Sequence, residues 1–442
     1  MMIKSMMTKS KFKQTEIGMI PEDWEVKRLK DVTLQIFSGG TPNTRKEEYW
    51  NGNLLWLSSG ETRQTFIRDT ERKITKFGVD NSSTRLAKKE DVVVAGAGQG
   101  HTRGQPSFCL IDTYINQSVV VLRANKGKLI PFFLFYNLLS RYDELRQLSD
   151  AQSSRGSLTT KLLADLFVKL PTLEEQEVIS KILSDLDFKI ELNQQMNKTL
   201  EAIGQAIFKH WFVDFDFPNE KGKPYKSSGG EMVDSELGEI PKGWEIGKLP
   251  EVAIVTDCLH TKKPKQKYDG DMLLQFYNLT DEHGINISNP YYISKEDYTV
   301  WTKNILVKEG DLLFTNAGGQ KIARVPYWFK GGIGRNITAV RGNKINVAYL
   351  FYYFLSSYGN NQTNKNTDAG TIFSSLNVKG IRNISILIPP KEITDNFSRM
   401  ASKICSKIET NDINKYNLSQ IRDSLLPRLM SGKIRVPVEV RT

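Results

Sequence analysis

The sequence EIGMIPEDW at Glu16–Trp24 returns as ELGEIPKGW at Glu236–Trp244, an offset of 236 − 16 = 220 residues. Other stretches match at nearly the same offset: Asp91 with Asp311, Asn116 with Asn336, Leu170-Pro171 with Ile388-Pro389, and Lys189–Asn193 with Lys407–Asn411. Self-similarity at one fixed offset indicates an internal duplication. The sequence therefore predicts two related globular modules, each of which runs into a helix.

The composition bounds the size and the partners of the protein. At 442 residues the chain is long enough for two or three domains. Lys and Arg number 61 against 50 Asp and Glu, which leaves a net charge of +11. This excess favours a polyanionic partner, although a merely basic soluble protein fits the charge alone equally well. A duplicated basic chain most simply binds something with two-fold character, and duplex DNA is the leading candidate.

Cysteine usage and hydropathy indicate a protein of the reducing cytoplasm. Cys109, Cys258 and Cys405 are odd in number, far apart and form no CxxC, so neither a disulfide framework nor a zinc site is predicted. The N-terminal stretch lacks the apolar core of a signal peptide. The longest apolar run, Leu129–Leu139, is too short to cross a bilayer. We therefore expect a cytoplasmic protein with no membrane association.

Each module is predicted to be of the α/β (α+β) class, with short buried strands separated by loops rich in glycine, serine and threonine. In the first module the predicted elements are strands at Leu54–Leu57, Asp91–Ala95 and Ser118–Arg123 and a helix over Pro131–Arg146. The second module repeats this order, with strands at Asp311–Phe314 and Thr338–Val340 and a helix over Val347–Ser356. The duplication therefore extends to the predicted fold.

Two long amphipathic helices follow the modules. Apolar residues recur in steps of three and four from Glu174 to about Phe208, and again from Phe397 to a predicted end near Leu426, because Pro427 is ill suited to a helix interior. The helices are predicted to pack as an antiparallel coiled coil. The residues predicted to pair the helices or dock a partner are Ile179, Leu183, Leu186, Ile190, Asn193, Leu200, Ile203, Ile404, Ile408, Asn411, Leu418 and Ile421. Asn193 and Asn411 fall at equivalent places, where they are either paired across the seam, fixing its register, or exposed.

The segments follow one another in a pseudo-two-fold internal repeat. The predicted segments are residues 1–171 for the first module, 172–217 for the first spacer helix, 218–234 for a linker, 235–389 for the second module, and 390–442 for the second spacer helix and a C-terminal tail. Pro, Ser and Gly mark the linker as loop.

A search for catalytic machinery finds no complete site. The chain has no GxxxxGK[ST] phosphate loop. Gly96–Gly100 is similar to a nucleotide loop, but His101 stands where GxGxxG needs its last glycine, so a tight turn is favoured. Asn289–Tyr292 lacks the second proline of the Asn-Pro-Pro-Tyr loop of amino-methyltransferases. The four histidines are scattered and pair with no acid or nucleophile in the sequence. Neither catalytic nor metal-binding residues are predicted.

Basic residues interleaved with small polar ones cluster in corresponding loops of both modules. The candidate DNA-binding residues of the first module are Thr41, Asn43, Arg45, Lys46, Arg63, Arg68, Gln99, His101, Arg103 and Arg155. Those of the second module are Lys262, Lys263, Lys265, Lys267, Gln320, Lys321, Arg324, Arg335, Asn364 and Lys365. Arg and Lys suit guanine edges and phosphates, while Asn and Gln suit adenine. Each residue alone is compatible with an ordinary solvated surface group.

Five short motifs follow one another along the chain. They are Ile20-Pro21 with Trp24, SGGTP at Ser38–Pro42, Tyr49-Trp50 with Gly52 and Trp56, LPTLEEQ at Leu170–Gln176 opening the first long helix, and IPP at Ile388–Pro390 opening the second. In this order the motifs resemble the specificity subunit of type I restriction-modification enzymes. The match spans nearly the whole chain, and the order and repetition of the motifs make it specific.

The resemblance implies a non-catalytic chain with two target-recognition domains, each contacting one half of a split double-stranded DNA sequence. The helices would set the unread spacer and dock two modification (methyltransferase) subunits, which carry S-adenosylmethionine. Motor-nuclease restriction subunits would supply the sites for ATP and Mg²⁺, so no cofactor is expected in this chain. Thr256–Thr261 departs from SGGTP, as two unlike half-sites would require. A protein–protein scaffold and a diverged DNA methyltransferase or nuclease remain the alternatives.

Overall fold

A computed structural model of the chain describes residues 11–98, 102–151, 156–317, 319–369 and 374–437. The fold divides into two compact units, Met1–Glu191 together with Tyr416–Thr442, and Leu192–Lys415. Each unit thus takes one globular module and a part of each long helix. The domain boundaries given above, which treat the helices as segments of their own, stay a prediction.

The first unit contains a five-stranded sheet of order β4-β12-β9-β10-β6 and a four-stranded sheet of order β7-β5-β11-β8. Its strands are β1 Phe12–Thr15, β2 Gly18–Pro21, β3 Glu25–Arg28, β4 Thr33–Ser38, β5 Trp50–Leu57, β6 Phe66–Ile67, β7 Arg72–Ile74, β8 Arg85–Ala87, β9 Val92–Ala95, β10 Pro106–Cys109, β11 Thr113–Ile115, β12 Val119–Ala124 and β13 Phe167–Leu170. Its helices are α1 Leu29–Val32, α2 Lys76–Asp80, α3 Pro131–Leu139, α4 Tyr142–Asp150, α5 Thr160–Asp165 and the first part of α6 Leu173–Phe212.

The second unit repeats the central part of this topology with one strand fewer in each of the two sheets. Its sheets have the orders β17-β23-β20-β21 and β19-β18-β22. Its strands are β14 Met232–Val233, β15 Ile240–Pro241, β16 Glu245–Lys248, β17 Ala253–Asp257, β18 Asp271–Leu274, β19 Tyr292–Ile293, β20 Leu312–Thr315, β21 Ile322–Arg324, β22 Gly332–Ile333, β23 Ile337–Gly342, β24 Asp368–Ala369, β25 Ser374–Ser375 and β26 Ser385–Ile388. Its helices are the last part of α6, α7 Leu249–Val252, α8 Lys295–Trp301, α9 Val347–Leu355, α10 Ser357–Lys365, α11 Val378–Arg382 and the first part of α12 Lys391–Met430.

The central strands β9 and β20 are buried on both faces, which explains their unbroken apolar sequences. Side chains alternate between the faces of a strand. Accordingly Val92 and Val94 pack toward the core that contains α3, whereas Val93 packs toward the four-stranded sheet. In the second unit Leu312 and Phe314 share a core with α9, and Leu313 lies in the opposite core. The predicted strands at these positions are confirmed.

Both modules brace the turn before this central strand with the same ion pair. Arg123 donates from Nε and Nη2 to the Asp91 carboxylate at 3.0 and 2.7 Å, and Arg341 donates in the same way to Asp311 at 2.8 and 2.6 Å. Each aspartate side chain is only 3% exposed. A buried carboxylate needs partners, and each aspartate finds them in its arginine. Asp91 and Asp311 therefore match in the two copies because each holds the turn before the central strand in place.

The long helices pack antiparallel in each unit. In the first unit, Asp187 of α6 accepts a hydrogen bond of 2.6 Å from Arg422 of α12 and one of 2.8 Å from Tyr136 of α3. In the second unit, Asn197 of α6 donates to Asp412 of α12 at 2.8 Å, and the ring centroids of Phe208 and Phe397 lie 5.5 Å apart. Partner numbers in α12 therefore fall as numbers in α6 rise, which confirms the antiparallel packing.

The predicted end of the second helix near Leu426 is wrong, because α12 continues through Pro427 to Met430. Leu429 and Met430 are buried in the core of the first unit. Full burial of such side chains contributes roughly 1.5–3 kcal/mol each. This gain in free energy offsets the cost of proline inside the helix, where proline cannot donate a backbone hydrogen bond.

The predicted seam is only partly a helix–helix contact. Ile179 and Leu183 are buried in the core of the first unit, and Leu186, Ile190, Leu200, Ile404, Ile408 and Leu418 are half-buried. Ile203 and Ile421 are 44% and 47% exposed, so they do not contribute to the helix pair as packed side chains.

The two seam asparagines are both buried. Asn411 donates to Asn197 Oδ1 at 2.8 Å, and Asn197 also donates to Asp412 at 2.8 Å. The amide nitrogen of Asn193 has no hydrogen-bond partner among the described residues. Asn411 therefore pairs with Asn197 and not with Asn193, and the alternative that the two asparagines are exposed is wrong, because both are buried.

The helix predicted over Pro131–Arg146 is two helices, α3 and α4. The break falls at Ser140 and Arg141, where Arg141 donates to the carbonyl oxygen of Phe167 at 2.5 Å. This tertiary hydrogen bond turns the chain. No helix in the described part of the chain is long and apolar enough to cross a membrane.

Candidate nucleic-acid interface

In the first module the candidate loop leaves β4 through Gly39 and Gly40. Their backbone N–H groups donate to Asn116 and Ile115 at 3.2 and 3.1 Å. A Cβ on Gly39 would lie 2.1 Å from the Ile115 oxygen, so only glycine permits this approach. Beyond the glycines, Thr41 donates to Gln117 at 2.6 Å. The two glycines therefore press the start of the loop against β11.

The rest of this loop is exposed and basic. Asn43 accepts the backbone N–H of Arg45 at 3.0 Å, which closes a tight turn and leaves the Arg45 side chain in solvent. Lys46 donates to the hydroxyl of Tyr49 at 3.1 Å, and this hydrogen bond raises the pKa of Lys46. The side chains of Arg45 and Lys46 are both exposed, so a polyanion can contact them without a change in the core.

The remaining candidates of the first module lie in different surroundings. Arg63 and Arg68 are exposed and ion-paired, Arg63 with Glu71 at 3.0 Å and Arg68 with Glu191 at 2.7 Å. Arg103 is only 7% exposed and contacts Asp150. Its burial does not favour a direct contact with DNA. Three further candidates, Gln99, His101 and Arg155, lie outside the described residues.

In the second module the candidate loop follows β17 and carries four exposed lysines, Lys262, Lys263, Lys265 and Lys267. Arg335 donates from Nε to the carbonyl oxygen of Thr261 at 2.9 Å, so this arginine holds the loop backbone. Lys263 lies 4.1 Å from the centre of the Tyr291 ring. No ion pair of the other three lysines is found in the described part of the chain. This loop is the most concentrated positive surface among the candidates.

The other candidates of the second module do not form one surface. Gln320 and Asn364 line a cleft of about 210 Å³ together with Asn316. Lys365 is exposed nearby in sequence, and Lys321 pairs with Asp281 at 3.0 Å. Arg324 is 11% exposed and contacts Glu409 of α12. Arg324 therefore joins the module to the helix, and its burial does not favour a DNA contact.

Exposed aromatic residues of the second module were missed by the sequence analysis. Tyr268 is fully exposed beside the lysine loop, and Phe276 and Tyr277 are 43% and 42% exposed after β18. Tyr268-Asp269-Gly270 aligns with Trp50-Asn51-Gly52 of the first module, and the counterpart of Tyr268, Trp50, is buried beside Tyr49 and Trp56. The only available signal was an aromatic residue next to a lysine run, a pattern typical of nucleic-acid surfaces.

The prediction that no histidine pairs with an acid is wrong. His260 Nε2 lies 2.8 Å from Asp257 Oδ2, and His283 Nε2 lies 3.9 Å from Glu201 of α6. The first pair is local and was visible as an i,i+3 spacing. The second joins residues far apart in sequence, which no pattern could reveal.

A family model for the type I restriction modification DNA specificity domain matches residues 21–202 and again residues 241–421. The chain belongs to this family. The two matched segments begin at Pro21 and Pro241, the prolines of the repeated motif that opened the sequence analysis. The resemblance drawn from the short motifs is therefore confirmed.

Relatives of this family cover almost the whole chain. The type I restriction enzyme MjaIX specificity subunit of Methanocaldococcus jannaschii is 28% identical over 440 residues, which are 97% of this chain and 97% of the relative. The HindI specificity subunit of Haemophilus influenzae is 24% identical and covers 93% of this chain and 100% of itself. The crystal structure of a type I S subunit from M. genitalium has the same fold, with a TM-score of 0.58 at 14% identity over 92% of this chain and 96% of that one.

Proposed function

We propose that the chain is the non-catalytic DNA specificity subunit of a type I restriction-modification system. Each module would contact one half of a bipartite DNA target. The long helices would set the unread spacer and dock the methyltransferase subunits. This role agrees with the family membership of both modules.

One observation carries the proposal. The two modules share one frame, because each braces its central strand with a buried Asp–Arg pair, Asp91–Arg123 or Asp311–Arg341. The loops that follow the equivalent strands β4 and β17 differ in sequence. The first carries two neighbouring basic residues, Arg45 and Lys46, whereas the second carries the four lysines of residues 262–267. A repeated frame with diverged basic loops is expected of a protein that recognises two unlike half-sites with one architecture.

The partners follow from the same two-fold pattern. Ile203 of α6 and Ile421 of α12 occupy equivalent positions, since 421 − 203 = 218, and both are exposed. Isolated exposed apolar residues are ordinary, but the same one in both copies suits two copies of one partner. We assign these positions to two modification subunits. Those subunits would bring S-adenosylmethionine, and motor-nuclease subunits would bring ATP and Mg²⁺, to a complex that acts in the cytoplasm.

Exchange of one module tests the proposal directly. Residues 38–155 are replaced by the corresponding segment of another family member, and the methylated sites of a host carrying the complete system are sequenced. We expect one half of the target to change while the other half and the spacer length stay constant. A matched chimera that replaces 258–369 should change the opposite half. The proposal fails if neither half changes in either chimera.

Incubation of the purified chain with DNA and labelled S-adenosylmethionine tests the absence of catalysis. We expect methyl transfer only when the modification subunits are added. Turnover by the chain alone would show that it is a methyltransferase in its own right.

A further inference from the structure

Three metal-capable side chains converge at the point where β17 ends and the lysine loop begins. The ligand atoms of Asp257, Cys258 and His260 all lie within 4.8 Å of one another. Cys258 is 3% exposed, the Asp257 side chain is 32% exposed, and the His260 side chain is 75% exposed. The cluster therefore has one buried anchor and one ligand that solvent can reach.

The donor set suits a zinc-class ion. A thiolate, an imidazole and a carboxylate bind Zn²⁺ at about 2.3, 2.0 and 2.0–2.2 Å, which places tetrahedral ligand atoms roughly 3.3–3.8 Å apart. The distance between His260 Nε2 and Asp257 Oδ2 is now 2.8 Å. Because His260 is exposed, a small movement of its ring is enough to admit an ion between these atoms.

Two observations beyond the cluster itself point to a ligand. Asp257 Oδ1 is buried and has no nitrogen or oxygen donor as a partner in the described part of the chain, and Cys258 offers this carboxylate only a weak S–H donor. A buried carboxylate oxygen without a partner is costly unless something else satisfies it. A cation held by this oxygen would remove the cost.

The second observation is the environment of the sulfur. Cys258 Sγ accepts hydrogen bonds from the backbone N–H groups of Ile337 and Asn336, and its thiol is hydrogen-bonded to the neighbouring Asp257 carboxylate. Asn336 presents its N–H from the left-handed region at φ +63°, which is uncommon for a residue with a side chain. Such outer-shell donors orient and stabilise metal-bound thiolates. A thiol binds a metal ion as the thiolate, so the proton of Cys258 would be released to solvent when the ion binds.

We propose that Asp257, Cys258 and His260 bind a zinc-class divalent cation, with a water molecule or a further ligand in the fourth position. The ion would fix the start of the loop that carries Lys262, Lys263, Lys265 and Lys267. The first module has Ser38-Gly39-Gly40 at this position and anchors its loop by the close approach of Gly39 to Ile115 instead. The two modules would therefore hold equivalent loops by different means.

Titration of metal-free protein with Co²⁺ tests the site without reference to DNA. We expect one equivalent of Co²⁺ to give a thiolate-to-cobalt charge-transfer band, which Zn²⁺ then abolishes. His260→Ala should weaken Co²⁺ binding by more than the roughly 10–100-fold that loss of an outer-shell partner costs. Cys258→Ser should remove the charge-transfer band.

Two matched variants control for adventitious binding. His210→Ala removes another exposed histidine, and Cys405→Ser removes another buried cysteine; both should leave the band unchanged. Because His260 is exposed, its alanine variant tests the site without threatening the fold. Absence of the band in the natural protein, or an unchanged titration in His260→Ala, would overturn the metal site.

The role of the ion in holding the loop rests on the proposed function and has a separate test. Binding is measured to two DNA duplexes that differ in one half-site each, with and without a chelator. We expect chelation to weaken discrimination at the half-site of the second module only. If chelation weakens discrimination at neither half-site, the ion does not anchor the loop. The Co²⁺ band would still show whether the metal site exists. Absence of all sequence preference would instead count against the proposed function.

Discussion

The segments that follow α6 and α12 occupy the same place in the repeat, yet they are held by different chemistry. After α6, Phe215 and Phe217 pack on Trp244 in the second unit, at ring distances of 5.6 and 5.1 Å. Tyr225 stacks on the outer face of Phe217 at 4.7 Å. This aromatic clasp, Phe215, Phe217 and Tyr225 on Trp244, is stabilised by burial of ring surface.

After α12, the segment in the first unit is held by charge. Arg435 donates to Asp23 at 2.9 and 2.6 Å and to Glu175 at 2.8 and 3.0 Å. The indole N–H of the buried Trp24 donates to the same Glu175 at 3.0 Å. Arg435 is the counterpart of Phe217, since 435 − 217 = 218. This ionic clasp, Arg435 with Asp23 and Glu175 on Trp24, uses the matching tryptophan.

The difference teaches which part of the repeat is constrained. The tryptophan is present and buried in both copies, and in each copy the clasp is built on it, by ring packing on Trp244 or through the Glu175 carboxylate that Trp24 binds. Its partner differs between the copies, because Trp244 packs against aromatic rings whereas the Trp24 indole donates to the carboxylate that Arg435 also binds. Only the ion pair depends on pH and salt, so the two units should respond differently to both.

The largest effect is expected from Trp244→Ala. Removal of a buried tryptophan costs about 3–5 kcal/mol, and the aromatic clasp loses its base. Denaturant unfolding should show the second unit melting first, while the first unit unfolds as before. Trp24→Ala provides the matched change, with the opposite order of unfolding. Equal loss in both units from either variant would contradict separate clasps.

The next largest loss of stability is expected when methionine replaces the matching residue of each clasp, Arg435 in one and Phe217 in the other. Arg435→Met leaves the Glu175 side chain, which is 1% exposed, without its cationic partner. We expect a loss of about 2 kcal/mol, less than the roughly 3–5 kcal/mol for a fully buried pair, because Arg435 is partly exposed. Phe217→Met is the control, with a loss that does not depend on salt. A salt-independent loss in Arg435→Met would show that packing, not charge, dominates.

Asp23 gives the ionic clasp its pH dependence. Hydrogen bonding to Arg435 lowers the pKa of Asp23 below its ordinary value of 3.8. A lowered pKa in the folded state contributes stability that is present above the unfolded value and is lost as pH falls through the folded one. The NMR titration of the Asp23 carboxyl should therefore move up in Arg435→Met. An unchanged midpoint would remove Arg435 as the cause.

The frame of the two units was predictable because it depends on local periodicity. The apolar run at β9 and β20 and the three–four spacing of α6 and α12 specify buried strands and long helices directly. The continuation of α12 past Pro427 was not predictable, since it depends on burial of Leu429 and Met430 against distant residues. The break at Arg141 likewise depends on a hydrogen bond to Phe167.

The candidate site was less predictable than the frame. The exposure of the lysines after β17 could be predicted from the sequence, because a run of lysines is rarely buried. The burial of Arg103 and Arg324 does not, because it depends on Asp150 and Glu409, which lie far away in sequence. Exposure of Tyr268, whose counterpart Trp50 is buried, depends on the loop path that differs between the modules. Periodicity carries no information about such a path.

Ile203 and Ile421 are exposed at equivalent positions of the two copies, so they test whether partner docking follows the repeat. Ile203→Asp and Ile421→Asp should each weaken capture of one modification subunit by about tenfold, which is ~1.4 kcal/mol. Sizing chromatography with light scattering reports the number of subunits bound. Gln205→Asp adds the same charge on the exposed surface of α6 and should leave capture unchanged. An effect from only one of the two isoleucine variants would show that docking does not follow the repeat.

The smallest effects separate exposed lysines from paired arginines. Lys265→Ala removes a charge that has no ion pair among the described residues, whereas Arg63→Ala also releases Glu71. If Lys265 meets a phosphate, its loss should lower the slope of log K against log salt by about 0.9, uniformly across DNA sequences. Arg63→Ala should change the slope less, because its charge is already balanced. Fluorescence anisotropy over a series of salt concentrations measures both slopes. A larger change for Arg63→Ala than for Lys265→Ala would show that Arg63, and not Lys265, contacts a phosphate.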